Sequence, residues 1–158
     1  MPALRAALFA LALATPALGA DPAYVDDRST AVSVIQSYYN AITRKEYVRA
    51  YSYYEDGQGV DPFDKFQAGY ANTASVSVAY GQVGSEGAAG STYYTVPVSL
   101  DAVSTSGKHS YFAGCYTLRL ANPQIQAAPP FRPLHIVSGK LTTAKGFGQK
   151  YVPKTCAQ

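Results

Sequence analysis

The stretch FDKFQAGYANTASVSVAY, residues 63–80, changes its apolar period halfway along. Phe63, Phe66 and Tyr70 recur at three- and four-residue steps, one stripe of a helix. Asp61 and Pro62 ahead of them read as a cap and a first-position proline, the residue types that suit a helix start. From Ala74 the step drops to two. Val76, Val78 and Tyr80 alternate with Ser75, Ser77 and Ala79, the pattern of a strand with one buried face. The chain before this junction reads as helix, and the chain after it reads as strand.

Upstream, Val32, Ile35, Tyr39 and Ile42 predict a helix, with Ser29 or Thr30 as its cap. Tyr47, Ala50, Tyr51 and Tyr54 repeat that spacing beyond the charged patch Arg44-Lys45-Glu46, and EDGQG at 55–59 stops it. The patch holds neither glycine nor proline, so local signals leave open whether the helix breaks there. Residues 21–28 are polar and read as a loose lead-in. Downstream, the glycine-rich stretch 81–90 predicts a turn of the chain, and Tyr94, Val96, Val98 and Leu100 predict a second strand. Pro97 inside it places that strand at an edge or at a bulge, because proline cannot donate to a ladder. STSGK (104–108) turns into a strand with Phe112, Gly114, Tyr116, Leu118 and Leu120 on one face. NPQIQAAPPFRP (122–133) reads as a stiff loop rather than a polyproline ligand, and Leu134 and Ile136 open the last strand. Helices followed by a run of strands make an α+β domain, three N-terminal helices packed on one curved antiparallel sheet, over residues 29–158 with a C-terminal tail.

Arg5, an apolar run from Ala6 to Ala14, Pro16 and the small-residue site Ala17-Leu18-Gly19-Ala20 follow the order of a secretory signal peptide, residues 1–20. The expected location is therefore periplasmic or secreted. No cysteine stands near the cleavage site to carry a lipid, and no later apolar run is long enough for a membrane span. In that compartment Cys115 and Cys156, the two cysteines of the chain, are expected to form a disulfide. Two cysteines and two separated histidines lack metal-ligand spacing, and no cofactor motif is present. The 13 basic and 10 acidic side chains are scattered, which argues against a nucleic-acid partner. A hydrophobic content of 47% supports a packed core rather than disorder.

The order helix, helix, short helix, long antiparallel sheet resembles the NTF2-like superfamily, the cystatin-like α+β cone. VIQSYYNAITRKEYVRAYSYYE is similar to that family's first two helices, with Lys45 and Glu46 at the places of its Gly-Asp turn and Ala50 at its alanine. FDKFQAGYANTASVSV resembles the third helix entering the first strand, and TYYTVPVSLDAV and FAGCYTLRL resemble central strands. The likeness covers roughly residues 29–142 and is nearest to exported bacterial members. It implies a fold and leaves activity open. Enzymatic members such as ketosteroid isomerases hold a carboxylate or histidine inside the cone, where a base must reach the substrate.

In this chain the inward strand positions are Val76, Val78, Tyr80, Tyr94, Val96, Val98, Leu100, Phe112, Tyr116, Leu118, Leu120, Leu134 and Ile136, none of them acidic or histidine. Asp101 reads as a solvated strand-end residue, His109 as a hairpin residue, and His135 should face out. Glu55 and Asp56 read as a charge pair ending the second helix. Any site is thus expected to be non-catalytic and aromatic: Tyr39, Tyr51, Tyr54, Tyr70, Tyr94 and Tyr116 read first as rings that fill the cone and second as the lining of a pocket. Tyr38, Tyr47 and Tyr53 fall on the flanks, open to a homodimer or another protein partner. The sequence therefore points to an exported domain that binds a small apolar molecule or a protein. The alternative is an isomerase- or cyclase-like enzyme using the cone.

Overall fold

The computed structural model describes residues 22–156; the expected signal peptide lies outside the described residues. Three helices, α1 (Ala31–Thr43), α2 (Tyr47–Tyr51) and α3 (Phe63–Tyr70), precede a curved, unclosed antiparallel sheet. Its strands are β1 (Thr73–Tyr80), β2 (Gly84–Ala88), β3 (Ser91–Ser104), β4 (His109–Ala121) and β5 (His135–Thr143). The order across the sheet is β1-β3-β4-β5, and β2 also pairs with β3. The α+β class and the disulfide expected from the sequence are both present.

Thr30 caps α1, its hydroxyl accepting the Ser33 N–H at 3.0 Å. The helix then ends inside the charged patch. Lys45 takes φ 61°, the Glu46 N–H reaches the Ala41 carbonyl at 2.9 Å, and the Lys45 N–H reaches Ile42 at 3.0 Å. These two backward bonds close a helix end in which glycine usually takes the left-handed position. α3 begins one residue later than the sequence implies. Pro62 is the capping residue, and Asp61 instead pairs with Lys65 at 2.8 Å. Tyr54 is not helical; it is extended and bridges Ile136 at the edge of β5.

All thirteen inward strand positions join the core or pack against it. The glycine-rich 81–90 stretch is not only a turn, because β2 forms within it. β3 is an interior strand, contrary to the edge that Pro97 suggests. The Pro97 carbonyl accepts the Gly81 N–H at 2.8 Å, in the gap between β1 and β2. Both backbone groups of an antiparallel residue face one neighbour. The missing N–H of Pro97 therefore faces that gap, where no ladder bond is lost.

In β5 the register slips at Val137, since Thr117 pairs with Ser138 and Leu118 with Ile136. The inward positions change from even to odd there, which puts Gly139 opposite Tyr116. A Cβ on Gly139 would lie 2.5 Å from the Tyr116 ring. Gly59, at φ 72°, presses against the bulge itself, where a Cβ would overlap the Val137 carbonyl.

Two segments read as peripheral are built into the fold. The lead-in from Pro22 to Arg28 is tied to the helices: Asp27 N–H to Ser37 Oγ (2.8 Å), Asn40 Nδ2 to the Ala23 carbonyl (2.8 Å), and Arg49 Nη1 to the Val25 carbonyl (2.7 Å). The tail crosses the outer sheet face. Cys156 is bonded to Cys115, and Gln149 Nε2 donates to the Tyr80 carbonyl at 3.1 Å.

Candidate functional site: an aromatic interior and an apolar cleft beside it

Between helices and sheet lies a cluster of rings centred on Tyr38. It meets Tyr39, Tyr53, Tyr54, Phe66, Tyr70 and Tyr116 with centroids 4.8–6.4 Å apart, mostly edge to face. That is the geometry ring quadrupoles favour. The flank positions expected for Tyr38 and Tyr53 are therefore corrected: they are 1% and 0% exposed. The broad buried arc of α1 explains Tyr38, since α1 meets the sheet, α2 and the lead-in at once. The lead-in explains Tyr53, whose hydroxyl donates to Asp26 at 2.7 Å under the Arg28 guanidinium.

The polar tips are satisfied in pairs. Tyr39 and Tyr116 share a hydrogen bond of 2.5 Å, and Tyr38 and Tyr70 share one of 2.8 Å. Burial pushes the phenols of Tyr38, Tyr39 and Tyr116 well above their usual range. Of the six tyrosines expected to line a site, Tyr39, Tyr54, Tyr70 and Tyr116 come together around Tyr38. Tyr51 joins only through Phe66, with its ring 5.3 Å away and Phe63 equally near. Tyr94 stands apart.

Tyr94 lines a different space. A cleft of about 530 Å³ opens between the start of α1 and the sheet, walled by Val32, Tyr94, Leu120, Leu134, Val83 and Phe131. Phe131, in the proline-rich loop, is 73% exposed. The sequence reading missed Val83 and Phe131; a phenylalanine held between Pro130 and Pro133 was the available signal.

The titratable candidates lie elsewhere. His109 Nδ1 pairs with Asp101 at 2.9 Å on the β3–β4 hairpin. His135 lies opposite Arg119 in the β4–β5 ladder, on the face away from Leu118 and Ile136, as alternation requires. It is nevertheless only 4% exposed, because Glu55 and the proline-rich loop cover it. Glu55 does not end α2 but stands in a separate 3-10 turn, Glu55–Gly57.

Fold and cleft together define a small disulfide-closed α+β domain with an aromatic core and an apolar recess beside it. No protein-family model matches the chain, and no curated protein matches it. Among the described residues no helix is long and apolar enough to cross a membrane, and no group of three or more His, Cys, Asp or Glu could hold a metal ion.

Proposed function

We propose that this chain is an exported, non-catalytic binding domain of NTF2-like type that takes one small apolar molecule in the cleft beside Tyr94. One observation carries the reading: large apolar side chains, Phe131 and Val83 among them, remain exposed around a recess of about 530 Å³. Recesses of a few hundred Å³ with apolar walls are the usual seat of small ligands. Export and the cone resemblance rest on the N-terminal sequence, the disulfide and the order of elements.

Titration with the neutral fluorophore N-phenyl-1-naphthylamine tests this reading. Saturable one-to-one binding is expected. Leu120→Arg, which sets a charge among apolar walls, should weaken it at least about tenfold, the loss of roughly 1.4 kcal/mol. Phe131→Ser should weaken it with little change in the unfolding midpoint, since that ring is already exposed. Absence of saturable binding by the native protein overturns the reading.

A further inference from the structure

The sheet is open at its edges, and the edges differ. On β1 the Val76 N–H donates to Thr43 Oγ1 at 3.3 Å, and Gln149 Nε2 donates to the Tyr80 carbonyl at 3.1 Å. Side chains therefore blunt that edge. β2 has no large apolar side chain and carries Glu86 at its midpoint, so pairing it with its own copy would face like charges. β5 is the remaining edge. Its first residues are covered: the Ile136 N–H donates to the Tyr53 carbonyl at 2.7 Å, and Gly59 presses on Val137. From Gly139 onward the edge is bare.

Register shows which backbone groups are open there. The Ala144 N–H donates to the Tyr111 carbonyl at 2.8 Å, so that pair is hydrogen-bonded. Bonded and non-bonded pairs alternate along an antiparallel ladder. Thr142, Lys140 and Ser138 therefore bond to β4, through Ala113, Cys115 and Thr117. Thr143, Leu141 and Gly139 are the non-bonded members, with N–H and C=O turned away from β4. Among the described residues none of those outward groups has a hydrogen-bond partner. Residues 139–143 are exposed except Leu141, which is half-buried.

We propose that β5 pairs antiparallel with β5 of a second copy of this chain through residues 139–143, about a two-fold axis at Leu141. The edge is complementary to itself. With the axis at Leu141, Gly139 of each copy stands opposite Thr143 of the other, and every open N–H meets an open C=O. The two Leu141 side chains meet on the core-facing side. On the outer face Lys140 stands opposite Thr142 of the second copy, and the two lysines lie diagonally, roughly 7–8 Å apart. An axis at Lys140 would leave Thr143 unpaired and set the lysines face to face; an axis at Thr142 would leave Gly139 unpaired. Hydrogen bonding and charge thus select one register, and that match favours a second copy over a foreign strand. The pairing is independent of the cleft reading above.

One short strand pair makes a small, reversible interface. Sedimentation velocity of the native chain should show monomer at about 10 µM and mostly dimer at about 1 mM. Amide hydrogen exchange over the same range identifies the surface. The Gly139, Leu141 and Thr143 amides should gain about fivefold or more in protection, whereas those of Lys140 and Thr142, bonded within the chain, stay protected throughout. Thr142 is exposed and its hydroxyl reaches only the Ala113 carbonyl, at 3.4 Å, so its variants should fold. Thr142→Glu, set opposite Lys140 of the second copy, should tighten the dimer about threefold, and Thr142→Lys should weaken it by a similar factor. High salt should shrink both effects. A monomer throughout, association that leaves those amides unprotected, or a Thr142→Lys dimer as tight as the Thr142→Glu dimer overturns the proposal.

Discussion

The Tyr39–Tyr116 pair shows how a polar atom is kept inside an apolar cluster. Each hydroxyl is the other's partner at 2.5 Å, so neither is left without a bond on leaving water. Removing one of them should cost more than removing both. Tyr116→Phe strands the Tyr39 hydroxyl in an apolar interior, and a loss of about 1–3 kcal/mol is expected, the usual penalty for a buried unpaired group. The double change to phenylalanine should recover part of that loss, because no unsatisfied group remains. Urea unfolding of the two single variants and the double variant checks this; strictly additive losses would show that the pair is not coupled. At this scale the sequence showed which tyrosines sit on inward stripes. It did not show that Tyr38, one position off the stripe, is the hub, because that depends on what packs against the other side of α1.

At the scale of elements, the break between α1 and α2 is the instructive case. Nothing in Arg44-Lys45-Glu46 is a helix breaker, yet Lys45 adopts φ 61°. Glu46 contacts Arg44 at 2.8 Å and Arg49 at 2.5 Å, and Lys45 Nζ reaches the Thr73 carbonyl. Tertiary partners thus fix a turn that glycine would take on its own account. Lys45→Gly should preserve the turn and change stability by less than about 1 kcal/mol, since relief of the left-handed strain offsets the lost Nζ bond. Lys45→Val, β-branched in the same conformation, should cost about 1–2 kcal/mol or more. Thermal unfolding of both variants decides; equal losses would mean that the side-chain bond, not the backbone, dominates. The strands were the most legible elements, because a period of two survives any tertiary arrangement that keeps one face buried. β2 escaped notice because Gly84–Ala88 carries no apolar alternation; it is a strand only because β3 offers it a partner.

For the whole molecule, the buried phenols link stability to alkaline pH. Burial raises the pKa of Tyr38, Tyr39 and Tyr116 in the folded state, whereas tyrosine in an unfolded chain titrates near pH 10. Their contribution is fully present below that value and is lost as pH rises above it, when the unfolded chain gives up protons the folded one retains. The denaturant midpoint should therefore be insensitive to these groups near neutrality and fall above about pH 10. Phenolate absorbance should show a late group of tyrosines ionising together with unfolding. A single smooth titration of all tyrosines with the fold intact would contradict a closed aromatic core. Asp26 gives an acid counterpart. The Tyr53 hydroxyl bonded to it lowers its carboxyl pKa, so its contribution is present above the usual carboxylate range and lost as pH falls through the folded value.

The class of fold, the inward face of each main strand and the cysteine pair were all legible in the amino-acid order. Those features arise from period and side-chain type, which are local or compositional. Long-range packing was needed to make the lead-in a clamp, to fill the interior with paired hydroxyls, and to open the recess beside Tyr94. It also buried His135 on a face that alternation turns outward. Each of these depends on partners far apart in the chain, Glu55 against His135 or Asp26 against Tyr53. No periodicity encodes such contacts, because they exist only once the sheet has curved and the loops have closed over it.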